Sequence, residues 1–296
     1  MPGERSLRIR SLDPEACVVA LAGCDLVAAD LATILRGWDI QETRPPLEPA
    51  LIRLKRTATG YLRISPWSRT PSKCREAFRT HNTDALFGIH YDLLRWYVAA
   101  QRHRPCLHSA AVKFPSGLVV FPNTTKAGKT TLTIQLAIAG HKVFCDDWLP
   151  IHAPGEATAL GILPWLRLPA PPSVREDFKP FLKLRQGPRN RRWTYVNLRE
   201  DELAPLGATA PVGALVLLDR QAGGKACLTS VANDRMLTEL IGQNYARQVP
   251  AAHIFDLLHA LTRSAGCYSL RYACVREAAS LLQDAFGYGR TAQSLQ

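Results

Sequence analysis

Residues 117 to 147, GLVVFPNTTKAGKTTLTIQLAIAGHKVFCDD, constrain the fold more than any other stretch of the chain. An apolar run, GLVVFP, leads into the polar loop NTTKAG and then into KTTLTIQLA, where Leu132, Leu136 and Ile138 define the buried side of a helix. Strand, tight loop and helix in that order aim consecutive backbone N–H groups and a helix N-terminus at one anion, the arrangement that cradles a phosphate. Gly140 suits the C′ position that ends the helix. KVFCDD reads as the next strand, ending in Asp146 and Asp147, 16 and 17 residues beyond Thr130. If it lies beside the first strand, both carboxylates reach the phosphate-binding edge of the sheet.

The loop follows G-x-x-x-x-G-K-[ST] except at its first position, which is Asn123. Asparagine tolerates a left-handed backbone better than most residues, so the motif is weakened without being lost. The candidate nucleotide-binding residues are Asn123, Thr124, Thr125, Lys126, Ala127, Gly128, Lys129, Thr130 and Thr131. In this geometry Lys129 reaches the β- and γ-phosphates of ATP, and the Thr130 hydroxyl ligates Mg²⁺. One carboxylate of the aspartate pair can hold the metal and the other can take a proton; a plain turn or capping pair is the alternative.

The rest of the chain sets the context. With 296 residues, 47% of them hydrophobic and 21% charged, it can bury a full core as one or two domains. The net charge of +12 divides into +5 for residues 1 to 104 and +7 for 105 to 296, so no dedicated nucleic-acid-binding arm is indicated. The dense cluster KLRQGPRNRRW, with Lys183, Arg185, Arg189, Arg191 and Arg192, is either a solvated loop or one facing phosphate or an acidic substrate. Eight cysteines without a C-x-x-C pair read as reduced thiols. No apolar run reaches membrane-spanning length and no leader precedes the first element, so the expectation is a soluble cytoplasmic protein with no membrane partner.

Residues 1–83 read as a small α+β module with strands at CVVALAG, LIRLKR and GYLRIS, separated by the proline-bearing connections TRPPLEP and SPWSRTPS. A lead-in helix over 84–102 opens the second unit, 84–296. There LHSAAVKF and GLVVFP form a hairpin at Pro115-Ser116-Gly117, GALVLLDR is a buried strand, helices follow at 233–247 and 250–264, and strand CYSLRYA precedes a closing helix at 276–286. The alternation is α/β, inside a chain that is α+β overall.

The series LHSAAV, AGKTTL and GHKVFCDD resembles the C-terminal domain of HPr kinase/phosphorylase and its HprK-related kinases over about residues 105–151. The resemblance implies the P-loop architecture shared with phosphoenolpyruvate carboxykinase, with ATP and Mg²⁺ as cofactors. It implies Lys129 on phosphate, Thr130 and Asp147 on the metal, Asp146 as the base that deprotonates the acceptor, and His108 positioning or polarising the reacting groups. Arg167 is the candidate contact to the transferring phosphoryl group, with Arg189, Arg191 and Arg192 closing over nucleotide or substrate. No glutamate between 160 and 175 supplies a third acidic ligand, and the phosphorylase signature is unrecognisable. The resemblance therefore implies a kinase acting on a hydroxyl of a peptide, protein or small molecule, in a peptide-modification pathway that can include a PqqD-like chaperone; oligomerisation stays open. The competing expectations are a degenerate nucleotide- or peptide-binding module without turnover and a nucleic-acid-linked ATPase.

Overall fold

A computed structural model describes the chain except for residues 1–3, 13–14, 44–48, 68–74, 79–80, 125, 153–154 and 288–296. The proline-bearing connections and Thr125 fall wholly or partly outside the described residues. The protein is mixed α/β, with seven α-helices among the described residues.

The N-terminal sheet contains β1 (Glu4–Arg10), β2 (Cys17–Ala22), β3 (Asp39–Thr43), β4 (Ile52–Thr57), β5 (Gly60–Ile64) and β6 (Arg75–Phe78), in the spatial order β3-β1-β2-β4-β5-β6. Three of these strands are legible in the sequence. β1, β3 and the helix α1 (Asp25–Ile34) are not, because their apolar residues are few or lack a clean period. Helix α2 (Asn82–Ala100) is the expected lead-in, shifted two residues toward the N-terminus. It packs on α1, β4 and β5, and a buried ion pair joins Asp92 to Arg63 of β5 at 3.2 Å.

The second unit is built on a nine-stranded sheet. Its strands are β7 (Cys106–Leu107), β8 (Ala110–Phe114), β9 (Gly117–Phe121), β10 (Lys142–Cys145), β11 (Leu149–His152), β12 (Glu156–Thr158), β16 (Thr209–Arg220), β17 (Cys227–Ser230) and β18 (Gly266–Tyr272). A separate three-stranded sheet orders β13 (Trp165–Arg167), β15 (Trp193–Val196) and β14 (Gln186–Arg189). In the large sheet β9, β16 and β18 run parallel and side by side. β8 is antiparallel to both β9 and β10, so β10 runs parallel to β9 with β8 between them. The aspartate strand is thus the next but one to the loop strand rather than its neighbour. Its C-terminal end still emerges at the same edge.

Both faces of this sheet are covered, which is why β9 and β16 read as unbroken apolar runs. Val119 and Phe121 join Leu132, Ile134 and Leu136 of α3 (Lys129–Ile138) and the apolar side of α7 (Val275–Phe286) on one face. Leu118 and Val120 join Met236 and Leu240 of α5 (Asn233–Gly242) and Leu258 and Leu261 of α6 (Ala251–Ser264) on the other. Helix α5 ends at Gly242, short of the expected 247, and the chain then turns to put Gln243 and Tyr245 against the site. Helix α4 (Arg175–Leu184) follows the three-stranded sheet's first strand.

The N-terminal module and the second unit share one core. Leu31, Ile34 and Trp38 cluster with Leu160, Leu163 and Leu166, and the Trp38 indole donates to the Leu160 carbonyl at 2.8 Å. At the seam Gly161 has φ +64, and a Cβ there would lie 2.2 Å from the Arg36 carbonyl oxygen, so only glycine lets the two backbones touch.

Candidate functional site

The loop after β9 carries its strain at one residue. Gly128, the N-cap of α3, has φ 102, a value open to glycine. Lys126 has φ 74 and is the one described non-glycine residue in the left-handed region. Asn123 is not left-handed, which corrects the expected reason for its presence. Its side chain bridges to the neighbouring strand instead: Nδ2 donates to the Leu218 carbonyl at 3.2 Å, and Oδ1 accepts from the Leu218 amide at 2.8 Å. The side-chain amide thereby continues the β9–β16 ladder past the end of β9 and pins the loop's entrance.

Lys129, at the first turn of α3, is 6% exposed. Its ammonium donates to the carbonyls of Asn123 at 2.6 Å and Thr124 at 3.3 Å, and stands 3.2 Å from His108 Nε2. Burial lowers its pKa, opposed by the charges of Asp147 and Asp146. The lysine therefore braces the loop as well as facing the cleft.

His108 stands where the apolar run LHSAAVKF breaks. Instead of one strand, β7 ends at Leu107 and pairs with β11, and β8 begins at Ala110 and pairs with β9 and β10. The break turns the imidazole toward the aspartates. Gln243 fixes the ring: its side-chain amide donates to Glu239 Oε1 at 2.9 Å, which leaves Gln243 Oε1 to accept from His108 Nδ1 at 3.0 Å. Nδ1 thus carries a hydrogen, and Nε2 lies 2.7 Å from Asp147 Oδ1, a hydrogen bond only when the ring carries a second hydrogen there, because a carboxylate only accepts. Tyr245 stacks on the ring at 5.3 Å.

The two aspartates have different surroundings, because adjacent residues at the end of β10 diverge. Asp146 is 6% exposed and accepts the Thr130 hydroxyl on Oδ2 at 2.9 Å. Its Oδ1 makes no hydrogen bond of normal geometry. Burial, and then the charge of Asp147, push its pKa up to about 7, against the Thr130 bond. Asp147 is bonded to His108 instead. The resemblance implies Thr130 with Asp147 on metal and Asp146 as base; in the side-chain contacts Thr130 pairs with Asp146, and Asp147 with His108.

A cleft of about 220 Å³ gathers most of these residues. Lys126, Gly128, Lys129, Thr130 and Thr131 form one wall, with His108 and Asp147 at its floor. Arg167 lines it too, with its guanidinium 4.8 Å over the Trp193 ring. Asn123, Thr124 and Ala127 belong to the loop without lining the cleft. Arg189, Arg191 and Arg192 do not line it either: the Arg189 carbonyl accepts from Thr83, and Arg192 lies 3.7 Å from Asp84. Arg185 is a structural pair with Glu202, two bonds of 2.6 Å.

Sequence reasoning missed Arg220, Trp165 and Trp193 in the cleft, and Gln243 and Glu239 behind His108. Arg220 had a signal, since it ends a buried strand parallel to β9. The others are brought in by separate segments and had none. No family model matches the chain, and no curated protein matches it.

Among the described residues no group of three or more His, Cys, Asp or Glu side chains is gathered to hold a metal ion. Magnesium is commonly held by one or two protein oxygens with phosphates and water completing its shell. The Asp146 carboxylate, whose charge is penalised by burial, and the Thr130 hydroxyl beside it are oxygen donors of the kind such a cation takes, although Asp146 itself does not line the cleft. No described helix is long and apolar enough to cross a membrane.

Proposed function

We propose that the chain is an ATP-dependent kinase of the HprK-like, P-loop type that transfers the γ-phosphoryl group to a hydroxyl. The observation that carries this reading is the pairing Thr130–Asp146 beside the separate pairing His108–Asp147, at the N-terminus of α3. On this reading one carboxylate serves a cation and the other a proton, the two tasks that phosphoryl transfer to a hydroxyl requires. Asp146 and Thr130 would hold Mg²⁺, which when bound offsets charge on the β- and γ-phosphates. The Gly128 and Lys129 region of the helix N-terminus, with the Lys129 ammonium, binds phosphate oxygens. Asp147, oriented by His108, accepts the proton as the acceptor oxygen bonds to the γ-phosphorus; the pair of electrons in the broken bridge bond leaves with ADP. Arg167 and Arg220 supply further positive charge in the cleft. The acceptor is a peptide, protein or small-molecule hydroxyl.

The test is calorimetric titration of ATP, with and without Mg²⁺, into the protein and into Lys129→Ala. Tight binding that needs both the metal and the lysine supports the reading. Equal binding by Lys129→Ala, with an unchanged melting temperature, would remove it.

A further inference from the structure

Away from the phosphate cleft, a second cleft of about 300 Å³ opens at the C-terminal end of α2. Four aromatic side chains, Trp67, Tyr91, Trp148 and Tyr245, and two arginines, Arg95 and Arg247, form its walls, and among the described residues no carboxylate lines it. Its volume is at the lower end of small-molecule sites, roughly 300–1,000 Å³. Arg95 is part of the wall: it lies 5.1 Å over the Tyr91 ring and donates to the Trp67 carbonyl at 2.7 Å. Arg247 is exposed and, among the described residues, has no carboxylate partner.

We propose that this cleft is a binding site for an aromatic carboxylate, with the ligand's ring against the aromatic walls and its carboxylate on Arg247. Flat rings favour offset or edge contacts with Trp and Tyr, and a guanidinium offers a carboxylate two parallel N–H donors. A cleft with positive charge and no acidic group selects an anion; its apolar walls select a ligand with a ring rather than a bare anion. The site is also joined to the phosphate cleft by touching rings. Tyr91 meets Trp148 at 5.5 Å, Trp148 meets Tyr245 at 4.4 Å, and Tyr245 stacks on His108 at 5.3 Å. Trp148 directly follows Asp147 in the chain. The proposal concerns binding and stands whether or not the chain transfers phosphate.

The experiment is calorimetric titration with N-acetylphenylalanine, its amide, and a short peptide ending in phenylalanine. Saturable one-to-one binding of the acid is expected, with the amide weaker by roughly tenfold or more. Arg247→Ala should lose the preference for acid over amide. Ala99→Phe, an exposed wall position at the end of α2 that a larger ring would fill, should abolish binding. Both variants should keep the melting temperature and Mg-ATP binding of the parent. Tighter binding of the peptide would identify a chain terminus as the ligand's source, and equal affinity a free molecule; either supports the site. Acid and amide binding equally, Arg247→Ala keeping the preference, or no saturable binding would overturn it.

Discussion

Replacing Asp146 by asparagine should make the protein's stability less dependent on pH, in a direction opposite to that of an ordinary salt-bridged aspartate. The carboxyl is buried, and its pKa rises from 3.8 to about 7 on folding. Between those values the folded state holds a proton that the unfolded state has released, so the group's contribution to stability is fully present below the unfolded value. It is lost as pH rises through the folded one. The total is the shift multiplied by about 1.36 kcal/mol per unit, or about 4 kcal/mol. Between about pH 5 and about pH 8 the same linkage gives a loss of about 3 kcal/mol in the parent protein. Asp146→Asn cannot titrate and should lack this component. Urea unfolding of both proteins without nucleotide or metal at the two pH values measures it as a difference of differences, in which titrating groups that do not interact with Asp146 cancel. An unchanged pH slope in the variant, or a parent slope of the opposite sign traceable to Asp146, would refute the burial argument.

Asn123→Ala should destabilise the protein by about 1–3 kcal/mol, because it removes both bonds to the Leu218 backbone and leaves those groups without partners; chemical denaturation checks this. Lys126→Gly should stabilise it by up to about 1 kcal/mol by relieving the left-handed backbone, while weakening nucleotide binding by removing a cation from the cleft; denaturation and calorimetry separate the two effects. Gln243→Leu should cut the rate of phosphoryl transfer and alter its pH profile without weakening Mg-ATP binding, since it removes the acceptor that holds the His108 ring but touches no phosphate-binding group. A matched loss in kcat and nucleotide affinity would show that Gln243 acts only through the fold.

The strand, loop and helix from Gly117 to Ile138 were legible because the apolar period changes abruptly and Gly140 marks the end, with the positive φ of a C′ glycine; Gly128, at the helix's start, has a positive φ as well. The placement of Asp146 and Asp147 was legible only to the strand's end. Which carboxylate meets Thr130 depends on how the backbone leaves β10, and a sequence of two identical residues holds no signal for that. Asn123 was read as a backbone accommodation because position 1 of such loops is glycine; its real task is a cross-strand bond to a residue 95 positions away. Composition left the basic cluster at 183–193 open between a solvated loop and one facing phosphate or an acidic substrate; Arg185 and Arg192 face carboxylates of the fold itself. Gln243 and Tyr245 could not be found by pattern, since they lie in the turn after α5 and gain meaning only when that turn meets His108.

The most direct measurement of the central claim is Mg-ATP affinity by calorimetry for Asp146→Asn and Asp147→Asn side by side. The contacts Thr130–Asp146 and His108–Asp147 lead to one expected pattern. Asp146→Asn should bind Mg-ATP roughly tenfold or more weakly and no better than ATP without metal, whereas Asp147→Asn should bind within about threefold of the parent and lose transfer. The reverse pattern, with Asp147→Asn losing the metal's contribution and Asp146→Asn keeping it, would contradict the division of labour.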